Sequence, residues 1–379
     1  GEYPQKKGGK AMKIRRCCAV LFVGFFVCTV LSGCGYRELH QRILIQGIGV
    51  DKTGDGYTVT VRAASPEEEA GDELYSCQGG SVLEALSNLS LSTGREPYYS
   101  HNYLVVFGRS CGEEGLDKSM DFFIRYYNTR PTVQMYLAED TAEEILSAKM
   151  DDKMISIQTL QNLGQTGKYN GKAVSMDFLE FVNSAQRPGS SPVLPVVGIK
   201  WGKAELCGTA YFQNYQLAGI LGLEETRGYL AIKGKLGNGE IVVKGDDFGT
   251  VTLTVSQGKS ETEISSKDDI PNFRTVYQVT ADVSTISGEH GKLDESFYAS
   301  VEEKAAQQIR EEMTSALEKS LMKEQCDIFG FGNLFSQKEP KQWKKISQQW
   351  DEEMLRCNYE IQVEATVLRM EQGSLNGGK

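Results

Sequence analysis

The sequence predicts an α+β chain of mixed α/β character: an N-terminal mixed α/β part, then a C-terminal antiparallel sheet packed with two long helices. Three observations carry this. From about 42 to 186, short apolar runs alternate with segments of helical period. Beyond 205 the runs become strands of period two. In the cleanest, Tyr359, Ile361, Val363, Ala365 and Val367 alternate with Glu, Gln, Glu and Thr. Between the two parts, Arg187-Pro-Gly-Ser-Ser-Pro-Val-Leu-Pro195 sets three prolines where neither a helix nor a central strand tolerates them. The expected division is 34–190 for N-terminal α/β structure, 191–204 for a Pro-rich linker, 205–370 for a C-terminal α+β domain and 371–379 for a loose tail.

Near the start, Lys13, Arg15 and Arg16 form a basic patch, followed by an apolar run over 17–31. That run has the length of a signal-peptide core and is short of the ~20 residues that span a bilayer. Leu31-Ser32-Gly33-Cys34 follows and resembles a bacterial lipobox, in which acyl chains are attached to the cysteine and the segment before it is removed. The expectation is a signal peptide at 1–33 and a lipid (palmitate) on Cys34, tethering the chain to a membrane without spanning it. An ordinary signal peptide with an incidental cysteine, or a short membrane anchor, are the alternatives. Removal of 1–33 takes six basic residues and one acid, leaving 35 Lys+Arg against 50 Asp+Glu and a formal charge of −15. Such a surface repels nucleic acid and anionic headgroups as partners and offers no polybasic patch.

In the N-terminal part, Arg42–Val50 and Tyr57–Ala63 read as strands joined by the Gly/Asp turn at 51–56. Gly47 and Gly49 belong to a strand, since Lys52 stands where a dinucleotide loop needs its third glycine. Ser81 and Glu84 form a capping box for a helix that buries Val82, Leu83, Leu86 and Leu89. His101–Phe107 is a strand, Leu116–Arg125 a helix with Leu116, Met120, Phe123 and Ile124 inward, and Thr132–Ala138 a strand. The order strand–helix–strand implies parallel pairing. Thr141 and Glu144 cap another helix, and helical stretches follow at 154–163 and 175–185. In the C-terminal part, strands are expected at Thr209–Leu217, Ile241–Lys244, Thr250–Val255 and Thr275–Ile286. The longest helix is expected at Glu295–Met322, with Val301, Ala305, Ile309, Met313, Leu317 and Leu321 inward. Its acidic face (Glu302, Glu303, Glu311, Glu312, Glu318) argues for docking on the sheet rather than on a membrane. A second helix begins at Pro340, with Trp343, Ile346, Trp350 and Met354 on one side.

Catalytic chemistry finds little support. The three histidines, His40, His101 and His290, are far apart. His101 reads as a hydrogen-bonded structural residue at a strand start. No C-x-x-C, P-loop, G-x-S-x-G or H-E-x-x-H is present. After cleavage five cysteines remain besides Cys34, and these read as buried thiols, a Cys326–Cys357 bridge being the other reading. Glu224-Glu225 reads as helix-start charge rather than an acid/base pair. No catalytic, metal or cofactor residues are assigned, and the chain is expected not to be an enzyme.

Several segments together resemble one family, the Ger(x)C lipoproteins of spore-forming bacteria. They are Cys34-Gly-Tyr-Arg-Glu-Leu39, Gly47-Ile-Gly-Val-Asp51, Ser100-His101-Asn102, Asp121–Arg130, Gly222-Leu-Glu-Glu-Thr-Arg-Gly228, Asp327-Ile-Phe-Gly-Phe-Gly332, Trp343 and Trp350. Tyr36 stands where the family more often has Trp-Asp. The resemblance implies a subunit of a nutrient germinant receptor on the outer face of the spore inner membrane, without known catalysis. Its implied partners are integral-membrane A and B type subunits, with a nutrient ligand possible. A transporter's substrate-binding lipoprotein is the alternative, although antiparallel strands followed by two helices do not make its second lobe. The Asp327–Gly332 turn is expected to hold Phe329 and Phe331 against the core, with exposure as a docking site the competing reading.

Overall fold

The computed structural model describes residues 41–65, 71–126, 132–150, 153–267, 270–288 and 291–369. The lipobox with Cys34, His40, His290 and the tail 371–379 lie outside the described residues.

Strands β1 (Arg42–Thr53) and β2 (Gly56–Ala63) form the expected hairpin, and β3 (Glu73–Gly79) pairs antiparallel to β2. Helix α1 (Val82–Thr93) starts where its capping residues say: Ser81 Oγ accepts from Glu84 N at 3.2 Å, and Glu84 reaches back to Gly80 N at 2.8 Å. After β4 (Glu96–Tyr98) come β5 (Leu104–Phe107), α2 (Arg109–Glu114), α3 (Leu116–Arg125) and β6 (Gln134–Ala138). This is the expected crossover, and β1, β5 and β6 are mutually parallel. Helix α4 (Ala142–Leu146), a two-residue ribbon of β7 (Lys149–Met150) and β8 (Lys153–Met154), α5 (Ile157–Leu163) and α6 (Phe178–Gln186) follow.

The stretch expected as a linker is β9 (Val193–Lys200), a buried strand parallel to β6. Its pairing with β6 is confined to Val196 and Val197, so Pro195 enters the sheet where that ladder ends. The strand expected over 209–217 is a hairpin, β10 (Lys203–Gln213) and β11 (Gln216–Leu221). The first sheet thus runs β11-β10-β9-β6-β5-β1-β2-β3. Helices cover both its faces: Leu104, Val106 and Tyr136 pack with Ile145, Leu146 and Leu160, whereas Val105, Phe107 and Leu137 share a core with Leu86, Met120 and Phe181.

Helix α7 (Leu223–Ile232) leads to a second sheet, β12 (Glu240–Gly245), β13 (Gly249–Lys267), β14 (Ile270–Ser287) and, after the helices, β15 (Asn358–Leu368). Helix α8 (Glu295–Leu317) continues as a π-helical turn over Glu318–Lys323 and buries Val301, Ala305, Ile309 and Met313 as expected. Four points differ from the sequence expectation. β15 pairs parallel to β14, because the intervening helices return the chain to the end where β14 began. The second long helix is broken: α9 (Phe331–Lys338), α10 (Pro340–Ile346) and α11 (Trp350–Glu353) are short, with 3₁₀ turns after α10 and α11. Leu83 and Ile124 are exposed, and Ala85 and Phe122 occupy the inward positions instead. His101 is exposed in the turn before β5, and Asn102 is the buried polar residue there.

Candidate functional site

Three of the segments singled out in the sequence, around Asp51, Arg227 and Asp327, lie at joints. At the end of β1, Asp51 accepts from Ala142 N at 2.8 Å and Glu143 N at 3.0 Å, the free first-turn donors of α4. Burial raises its carboxyl above the ordinary range, against the pull of these two N–H groups. Buried Arg62 closes the other end of α4, donating to Leu146 O at 2.7 Å and also to Ile155 O at 2.9 Å. A Cβ at Gly49 would sit 3.0 Å from Ala142 Cβ, which is why the strand carries glycine where the helix crosses. Asp121 and Arg125 form a surface ion pair at i,i+4; residues 127–131 lie outside the described residues.

The Gly222–Gly228 segment fastens the two sheets together. Glu225 caps Gly222 N at 2.6 Å and pairs with Lys319 at 2.9 Å on the turn after α8. Glu224 meets Lys172 at 3.2 Å, so this pair of carboxylates supplies helix-start charge, as expected. Thr226 donates to Thr209 Oγ1 of β10 at 2.9 Å. Arg227 grips Glu312 of α8 with two guanidinium donors, Nε to Oε2 at 2.7 Å, and gives Nη1 to Glu240 O at 2.8 Å. Glu312 is therefore not on the exposed acidic face where the sequence placed it. It is buried, and a Cβ at Gly228 would collide with its carbonyl.

The Asp327–Gly332 turn is a second fastening. Asp327 accepts from Gly330 N (2.8 Å), Phe331 N (3.0 Å), Gly332 N (2.7 Å) and Trp350 Nε1 (3.1 Å). Gly330 adopts φ +75°, the left-handed conformation that the turn requires. Phe329 and Phe331 are both buried, Phe331 lying 4.9 Å from the Phe273 ring of β14. Lys233 Nζ, just after α7, donates to Phe329 O at 2.8 Å. The turn also holds the proline-rich segment of the first half: Ser191 N donates to Asp327 O at 2.8 Å and Asn333 N to Gly189 O at 3.1 Å. Gly189 and Gly332 pass so closely that a Cβ on either would lie within 2.7 Å of the other's Cα.

Among the described residues, groups that could carry chemistry are scattered or quenched. All five described cysteines are thiols, including Cys326 and Cys357. Burial pushes Cys111, Cys326 and Cys357 up to about 12, far from an activated thiolate. Among the described residues no group of three His, Cys, Asp or Glu side chains could hold a metal ion. One cleft of about 340 Å³ is lined by Val174, Met176, Val193, Tyr229 and Leu230 together with Lys168 and Lys235. Another of about 230 Å³ lies beside Asp327 and Trp350. Neither has a histidine or cysteine in its lining. No helix among the described residues is long and apolar enough to cross a membrane.

The fold and these fastenings define a two-sheet scaffold in which the Gly222–Gly228 and Asp327–Gly332 segments hold the halves together. Comparison with known proteins gives the class a family. Residues 35–199 match the spore germination protein N-terminal domain, and 207–371 match the spore germination B3/GerAC-like C-terminal domain. The chain belongs to this Ger(x)C family of spore germination proteins. It is 24% identical to spore germination protein KC of Bacillus subtilis (strain 168), over 90% of this chain and 92% of that one. Spore germination protein A3 of the same organism is 23% identical, over 97% and 100%. The crystal structure of the GerBC protein has the same fold, with a TM-score of 0.56 and 17% identity over 85% of this chain and 97% of that one.

Proposed function

We propose that this chain is the lipid-anchored C-type subunit of a nutrient germinant receptor, held on the outer face of the spore inner membrane by acyl chains on Cys34. Its work is assembly with integral-membrane A and B type subunits, so that nutrient sensing triggers germination. The observation that carries this reading is where the family's residues go. Asp51, Arg227 and Asp327 each satisfy buried backbone or side-chain partners, leaving them structural work and no substrate to face. A rigid body of this kind suits a subunit that transmits force or position between partners. A transporter's substrate-binding lipoprotein would need two lobes free to close on a hinge, and the Gly189–Gly332 and Thr209–Thr226 contacts tie the halves at two places. Metabolic labelling with a radioactive fatty acid tests the anchor. Wild type should take up label and Cys34→Ala should not, with co-purification of the membrane subunits reduced. Label retained by Cys34→Ala would overturn the attachment site, and normal assembly of an unlabelled chain would overturn the need for it.

A further inference from the structure

Two hairpins of the first sheet close with two-residue turns, one between Lys200 and Lys203 and one between Gln213 and Gln216. Both place an aromatic residue in the left-handed region that a Cβ resists: Trp201 at φ +54° before Gly202 at +75°, and Tyr215 at φ +70° after Asn214 at +47°. Tyr215 makes use of the strain. Its ring packs against Phe181 at 6.1 Å and its carbonyl accepts from Leu116 N at 3.0 Å. Trp201 does nothing comparable within the chain, since 97% of its surface is exposed. The ribbon that carries it is firm at its base, where half-buried Ile199, Ala204 and Leu206 pack on a core cluster. It also projects past its neighbours, because β6 pairs with β9 only up to Val197 and β11 pairs with β10 only from Thr209 onward.

We propose that this tip, Lys200-Trp201-Gly202-Lys203, is a membrane contact whose occupant is the headgroup zone of a bilayer containing anionic phospholipid. An indole favours that zone, apolar body inward and N–H toward water, and two exposed ammonium groups beside it meet lipid phosphates. A protein-docking aromatic is normally ringed by further apolar side chains, and this turn supplies only lysines and glycine. The acidic net charge repels anionic surfaces in bulk, but at physiological salt its reach is about 8 Å, so the lysines at the apex act locally; Glu205 lies lower on the ribbon. β1, β5, β6 and β9 are parallel, so the tip stands at the end of the sheet opposite the start of β1. The tip contact does not depend on the proposed anchor at Cys34.

The test uses the full acylated chain reconstituted in vesicles of phosphatidylglycerol and brominated phosphatidylcholine, with tryptophan emission and flotation read in parallel. The other two tryptophans are inside, Trp350 buried and Trp343 half-buried. Membrane contact should blue-shift wild-type emission, and bromolipid should quench it. Trp201→Asn, which suits the left-handed turn and should fold at least as well, should lose both effects while still floating. Lys200→Gln with Lys203→Gln, or vesicles without phosphatidylglycerol, should weaken them. Equal quenching of wild type and Trp201→Asn, or a Trp201 signal that appears only when the integral-membrane subunits are co-reconstituted, would overturn the lipid assignment. A chain that floats without quenching retains its anchor and loses the tip proposal; one that does not float at all loses both.

Discussion

The two sheets solve the same problem on different plans. The first is covered on both faces, so consecutive residues Leu104, Val105, Val106 and Phe107 are all buried in alternating cores. The second is covered on one face by α8 and its neighbours. Val251, Leu253 and Val255 are buried, while Val242 on β12 is 46% exposed. A two-faced sheet has no spare side, and every strand position there is answerable to packing. A one-faced sheet leaves half of its side chains free for solvent or partners, and its core is closed from one side only. What makes one body of two such different layers is the set of contacts on α7 and around Asp327.

The largest effect should come from breaking that union. Glu312→Ala would leave Arg227 buried without its partner carboxylate, at a cost of about 3–5 kcal/mol in urea unfolding. The double replacement Arg227→Met with Glu312→Leu should recover most of that loss, because two apolar groups of similar volume need no charge compensation. A cost below about 1 kcal/mol for Glu312→Ala would mean that water reaches the pair and that the joint is held elsewhere.

The difference between the sheets themselves can be sharpened with leucines. Leu104→Ala and Leu137→Ala lie on opposite faces of the first sheet, and each should cost about 2–5 kcal/mol. In the second sheet Leu253→Ala should fall in the same range, while Val242→Ala stays within about 0.5 kcal/mol. Chemical denaturation of the four variants decides it. If Val242→Ala proves as costly as Leu253→Ala, the outer face of the second sheet is covered after all.

The same contrast explains what the sequence revealed. One-faced strands announce themselves by alternation, as β15 does with Tyr359, Ile361, Val363, Ala365 and Val367. Capped helices do so through Ser81 and Thr141, whose hydroxyls accept where expected. Three things stayed hidden. Pro195 masked a buried strand, because a proline at the end of a ladder reads locally like a linker. Residues 256–267 of β13 are mostly Ser, Thr, Lys and Glu, so neither face shows an apolar stripe; the backbone ladder to β14 makes them a strand. The Arg227–Glu312 pair joins residues 85 positions apart, and one Glu among several on an acidic helix gives no sign of burial. The family's segments were legible as residues to watch, but their work as fasteners became visible only with the distances.

The smallest expected effect concerns the second fastening and depends on pH. Asp327 is buried, and desolvation raises its pKa above the ordinary 3.8 in spite of the N–H donors from Gly332, Phe331 and Gly330 and the indole of Trp350. A carboxyl whose folded pKa is raised binds its proton more readily in the native state than in the unfolded chain. Its contribution to stability is therefore complete below the unfolded value and is lost as pH rises through the folded one. Asn at 327 cannot titrate and shows no such dependence. Wild type should accordingly gain stability relative to Asp327→Asn as the pH is lowered from neutral toward the ordinary carboxylate range. The raised carboxyl of Asp51 is common to both proteins and cancels in the comparison. Thermal unfolding of the pair across that range is the measurement. A gap that shrinks on acidification would show that the four donors outweigh burial and that the folded carboxyl sits below its unfolded value.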